Sequence, residues 1–244
     1  MNQPSFSSAG PVAAISAGSA PPALHGPAAG ECERNESQVR RRLLECGLQA
    51  VTEQGTESDL TTRVTGLSGF SPETLHSHFA DSDGLLRAVA QGLSNELVGI
   101  IERSAGDFVD PAKRIACGVR MYLNTASEYP VFAKLIVKAG LDVAGPRSLV
   151  GEYLPAHIAY GLRSGRFGDE AAIGGTDLVS GTTFAAVTRI ASGAVPDGYS
   201  EQVATVILRG MGVPGMQAYR LAIVVPPRVQ PWAGSLLARA RAMH

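Results

Sequence analysis

"GFSPETLHSHFADSDGLL", residues 69–86, decides how the rest of the chain is read. Gly69 permits a tight turn, and Phe70 has the character to pack inward. Ser71 can accept an orphan backbone N–H, with Pro72 pre-set for the first helical position. Leu75 and Phe79, four residues apart, share one face of the short helix that follows. Either Asp81 or Ser82 then caps a further helix ahead of Leu85 and Leu86. Between Gly69 and Leu86 there is no Lys or Arg.

Working outward, the pattern stays helical. On the N-terminal side Leu43, Leu44, Leu48 and Val51 repeat on one face, with Ser37 as cap and Gly55 as stop. A short piece lies near residues 60–67. On the C-terminal side Leu85, Leu86, Val89, Leu93, Leu97, Ile100 and Ile101 make one long stripe. Asp110-Pro111 reads as cap and first turn of the next helix. Further helices are expected from Pro130, over 148–164, over 169–192 and over 200–211. "GMGVPG", residues 210–215, matches the GxGxxG string but follows a helix, so Gly212 reads as a terminator and Pro214 as a stop. No alternating strand pair is present. The expectation is an all-α fold of about nine helices. After Pro214, "LAIVVPPRVQPW", residues 221–232, reads as extended and "AGSLLARARAMH", residues 233–244, as a last short helix. The tail's five arginines and no acid from Arg209 onward fit a solvated end.

Composition bounds the rest. The 244 residues carry a net charge of −1, which gives no global pull towards nucleic acid or anionic membrane. Cys32, Cys46 and Cys117 lack metal-like spacing and read as reduced structural thiols. No apolar run approaches a membrane span, and the first 33 residues hold no Lys or Arg for a secretory leader. A soluble cytoplasmic protein with no membrane partner is expected. Residues 1–36, rich in Ser, Ala, Gly and Pro, read as a disordered arm in which His25 and Cys32 are bystanders.

Two short helices joined by a glycine turn and packed on a longer one form the helix-turn-helix unit, whose second helix enters the DNA major groove. In this order "VRRRLLECGLQAVTEQG", "GFSPETLHSHF" and "LLRAV" resemble the first domain of the tetracycline-repressor (TetR/AcrR) family. "DPAKRIACGVRMYLNTASEYPVFAKLIVKAG" and "ATVILRGMGVPGMQA" are similar to that family's ligand and dimer domain, so the resemblance spans roughly residues 37–220. It implies a DNA-binding domain at 37–82, a ligand-binding and dimerisation domain at 83–220 and a tail at 221–244. The chain departs from the pattern where His76 replaces the usual Tyr of the reading helix and Ser82 the usual Lys. Residues 34–90 hold six basic and eight acidic side chains, a weak footprint for phosphate neutralisation. Hydrogen bonds from Ser82, His76 and His78 are the expected compensation.

The resemblance implies a ligand-responsive repressor, a homodimer on a palindromic double-stranded DNA operator, with a small-molecule effector, no cofactor and no enzymatic role. The alternative is a helical ligand-binding dimer whose operator binding is weakened or lost. Expected DNA contacts are Arg40, Thr61, Thr62, Arg63, Ser71, Pro72, Glu73, Thr74, His76, Ser77, His78 and Ser82, with Arg41 and Arg42 in support. Expected pocket walls are Tyr122, Phe132, Tyr153, His157, Tyr160 and Phe184. Gly174, Gly175, Gly181, Ala185, Val203 and Ile207 are the expected dimer interface. No nucleophile–base set or metal cluster is recognisable: His76 and His78 are two apart on a helix and diverge, and Cys117 and His157 read as core.

Overall fold

The computed structural model describes residues 27–54, 59–193 and 195–242. Among them the fold is all-α, with eleven α-helices rather than nine and one 3-10 turn. In chain order these are α1 (Pro27–Gln54), α2 (Leu60–Ser68), α3 (Pro72–His78), α4 (Ser82–Ala105), α5 (Pro111–Glu128) and α6 (Pro130–Ala139). The 3-10 turn Gly140–Ala144 leads to α7 (Leu149–Arg163), α8 (Glu170–Ala191), α9 (Tyr199–Gly210), α10 (Gly215–Ala222) and α11 (Leu236–Ala242). Contacts divide the chain after Ser37, and the residues from Gln38 onward form one compact unit.

Helix α1 starts at Pro27, ahead of the expected Ser37. A proline at the first helical position loses nothing, because its missing N–H would be an orphan there, and the Ala and Glu residues behind it favour helix. The arm expectation therefore does not hold for residues 27–36. Residues 1–26, His25 among them, and Gly55 lie outside the described residues, as does the side chain of Cys32.

Local capping explains the element borders. The Asp59 carboxylate accepts from Thr62 N at the start of α2, Ser71 Oγ from Thr74 N at α3, and Asp81 from Gly84 N at α4. Of the two candidate caps for α4, Asp81 is the one used, and Ser82 is the first helical residue. Asp110 caps α5 through Ala112 N, and Ser148 caps α7 through Gly151 N. Gly69 ends α2 at φ 74°, the left-handed conformation that an L side chain resists. One continuous core runs from Leu43, Leu48, Leu60 and Leu75 through Leu85, Val89 and Leu93 to Leu123, Phe132 and Ile207. Each such side chain contributes roughly 1.5–3 kcal/mol by leaving water.

The tail is where the fold departs most from the sequence expectation. Gly212, at φ 84°, turns the chain after α9, but Pro214 opens α10 instead of stopping the helical region. Residues 223–235 are an irregular connection with turns at both ends, and α11 then docks: Leu236, Leu237 and Ala240 are buried, and the helix packs against α4 and α6. The Glu96 carboxylate on α4 accepts from Leu236 N at 3.0 Å and Leu237 N at 2.9 Å, so it satisfies the orphan donors of α11. Arg239 pairs with Glu45 of α1 at 3.0 Å, and Arg41 donates to Gly234 O at 3.1 Å. The basic tail is an anchored element, not a solvated end. Its arginine meets an acid that sequence spacing could not reveal.

Candidate functional site

Helices α2 and α3 present an outer face beside the Gly69 turn. Leu75 and Phe79 are buried as their spacing demands, which leaves Ser71, Pro72, Glu73, His76 and Ser77 exposed, with Thr74 and His78 half-buried. Much of the polar capacity is engaged locally. Ser77 Oγ donates to Thr74 O at 2.8 Å, and His76 Nδ1 lies 2.7 Å from Pro72 O. A carbonyl only accepts, so Nδ1 carries the proton and Nε2 is left for an outside partner. Thr61 and Ser82 hydroxyls meet each other at 3.1 Å, and Thr62 Oγ1 donates to Asp59. Arg63 turns away from this face and donates to Ala50 O of α1.

The basic triplet is similarly committed. Arg41 and Arg42 reach Glu45 at 3.3 and 3.6 Å, and Arg40 lies over the Phe79 ring at 5.3 Å. Two carboxylates persist nearby. The Thr62 hydroxyl and N–H hold Asp59 below the usual carboxylate range, and the backbone N–H of Glu73, helped by the Ser71 hydroxyl, does the same for Glu73. The face is therefore rich in hydrogen-bonding groups and poor in available positive charge.

A pocket of about 120 Å³ lies within the helices α4, α5, α6, α7 and α8 and the 3-10 turn. Of the expected walls, Tyr122, Tyr153, His157 and Phe184 line it. Phe132 does not: it is fully buried behind Tyr122, edge-on at 5.4 Å between ring centroids. Tyr160 does not either. It sits in the last turns of α7, beyond the wall, and is 45% exposed. Aliphatic groups such as Val98, Ile101, Ile115 and Val179 complete most of the lining.

Glu102, Arg114 and Thr183 in the lining were not legible in the sequence, because they come from different helices. His157 Nε2 on α7 meets both Glu102 oxygens of α4 at 3.0 Å, and the His157 ring stacks on Tyr153 at 6.4 Å. His157 is therefore paired with a carboxylate and is not a plain core residue. Arg114 Nη2 donates to Gly106 O at 2.8 Å and Phe108 O at 3.2 Å. Tyr122 shares a hydrogen bond with Ser94 at 3.0 Å, and burial pushes its phenol pKa up, so it stays protonated. Thr183 Oγ1 is buried without a hydrogen-bond partner. Cys46 and Cys117 are buried free thiols whose pKa burial raises.

The six expected interface residues fall on different surfaces. Ala185 is exposed on α8, and Gly174 and Gly181 are half-buried with open space around each. Gly175 packs against Ile158 of α7, while Val203 and Ile207 are in the core. Both faces of α9 carry aliphatic residues, so its pattern does not separate the inward face from the outward one. The exposed apolar side chains on α8 and α9 are Ile173, at 96%, and Val206, at 57%. No described helix is long and apolar enough to cross a membrane.

Residues 110–223, which form the pocket's α5 to α8 walls and the helices after them, match the family described as tetracyclin repressor-like, C-terminal domain. Those residues therefore resemble the C-terminal domain of tetracycline-repressor-like regulators. The crystal structure of RolR in complex with the ligand resorcinol is similar in fold, with a TM-score of 0.67, 22% identity, and coverage of 81% of this chain and 100% of RolR. RolR without ligand superposes at a TM-score of 0.68 with 23% identity, covering 77% of this chain and 98% of RolR. No curated protein matches the sequence significantly.

Proposed function

We propose that this chain is a ligand-responsive, DNA-binding transcriptional repressor that acts as a homodimer on a palindromic operator. The observation that carries the proposal is a single helix, α4, which runs from the α2–α3 face to the pocket and supplies Val98, Ile101 and Glu102 to its wall. Residues 37–82 are the DNA-binding domain, 83–220 the ligand-binding and dimerisation domain, and 221–244 a tail that straps the two. Ser71, Pro72, Glu73, Thr74, His76, Ser77 and His78 meet the duplex. Arg40, Thr61, Thr62 and Ser82 stand beside it, and Arg63 is assigned to holding α2 on α1. Gly174, Gly181, Ala185, Ile173 and Val206 lie at the dimer interface. The fold of RolR, crystallised with resorcinol, supports a small organic effector, and about 120 Å³ suits one ring. The reading is of a cytoplasmic, non-enzymatic protein with no cofactor.

Fluorescence anisotropy on the DNA upstream of its own gene, with unrelated competitor and a salt series, tests this. Competitor-resistant binding is expected, with a shallow salt slope, since each phosphate contact adds only about −0.9 and few cations are available. Absence of specific binding at low salt would favour the second reading, a ligand-binding dimer that has lost its operator. The commitment of Arg41, Arg42 and Arg63 within the fold is the observation behind that second reading.

A further inference from the structure

We infer that the pocket selects a neutral, single-ring aromatic carrying hydroxyl groups, with Glu102 as the acceptor that reads a hydroxyl donor. This rests on the pocket being the effector site. Unmet hydrogen-bonding capacity in the lining points to the ligand group. Several donors there are engaged: Arg114 Nη2 on two backbone carbonyls, Ser180 on Thr176 O at 2.7 Å, and Tyr122 with Ser94. A carboxylate has about four acceptor sites, and one N–H shared between the Glu102 oxygens leaves most of them open. The unmet capacity at Glu102 is for accepting, so the complementary ligand group is an O–H.

Thr183 adds a second polar point on α8. Its Oγ1 is buried with no partner, and it can donate to or accept from a second hydroxyl. A ligand carboxylate fits poorly beside Glu102, since it would bring a second negative charge towards that carboxylate. Size sets the ring count. The pocket's volume of about 120 Å³ is near the ~150 Å³ at which an engineered apolar cavity takes up benzene, too little for fused rings.

Calorimetric titration of the full chain, without DNA, tests the inference with four probes: resorcinol, phenol, benzoate and toluene. Resorcinol and phenol are expected to bind at least about tenfold more tightly than benzoate. Glu102→Gln is expected to weaken resorcinol by about tenfold or more and leave toluene unchanged. Thr183→Val is expected to weaken resorcinol more than phenol, a difference that a merely structural role would not produce. Circular dichroism checks that Glu102→Gln is folded; should it not be, the Thr183→Val comparison and the benzoate ratio decide. Benzoate binding as tightly as phenol, or no binding of any hydroxylated ring, would overturn the inference. Failure of DNA binding with ring selectivity intact would instead count against the regulator reading alone.

Discussion

Gly69 carries the geometry of the α2–α3 turn on one dihedral. At φ 74°, with nothing within 4 Å of where an added methyl group would stand, the cost of Gly69→Ala is backbone strain and not a clash. That strain is about 1–2 kcal/mol, readable as a lower urea midpoint, with Gly69→Asn losing less. Charge acts at the same scale. Arg120 is buried in α5, and its guanidinium meets Glu201 of α9 and the Val224 carbonyl. Glu201→Ala leaves that charge unpaired and is expected to destabilise by about 3 kcal/mol in urea unfolding. Asp110 gives a pH signature. Burial pushes its carboxyl up, but the Arg166 guanidinium at 2.9 and 3.1 Å and the Ala112 N–H outweigh it, so the group lies below the usual carboxylate range. A depressed folded pKa contributes stability above the unfolded value of about 3.9, lost as pH falls through the folded value. Asp110→Asn is therefore expected to cost about 1–2 kcal/mol at pH 7, with the gap to the wild type closing below pH ~4 in parallel urea titrations.

Among the elements, α11 is the one whose role depends most on partners distant in sequence. Gly92 faces α11: a Cβ there would stand 2.8 Å from Leu236 Cδ1, the flexible end of a side chain that would have to shift. Removing residues 234–244 takes away the Glu96 and Glu45 contacts together. Hydrogen exchange is expected to quicken across residues 40–50 of α1 as well as in α4; protection unchanged in α1 would mean that α11 is only a lid on α4. Such long-range ties explain what the sequence could and could not convey. Periodic stripes and Asp-Pro or Ser-Pro caps place α3 to α9 within a residue or two, because capping and amphipathicity are local. Helix α10 is not legible in the same way, since Pro214 serves equally as a stop and as a helix opener. Tyr153 and His157 follow from helical spacing on α7. Glu102, Arg114 and Thr183 do not, because their meeting is a property of three-helix packing and leaves no spacing in the chain.

For the whole molecule, a hydrogen-bonding face and an apolar pocket are joined through α4, with α11 bracing the same helix. A ligand acts on DNA affinity only through its differential affinity for the two arrangements of that helix. On the proposed reading, two copies must also hold their α3 helices about 34–36 Å apart to meet successive major grooves. Val206→Asp, on the exposed side of α9, is expected to shift the chain from dimer to monomer in sedimentation and to abolish operator binding while the fold is kept. The most direct test is a linked titration with resorcinol, the upstream duplex and the full chain. Resorcinol is expected to lower DNA affinity, and DNA to lower resorcinol affinity by the same factor, as linkage requires. A complex in which both bind with neither affinity changed would contradict the account.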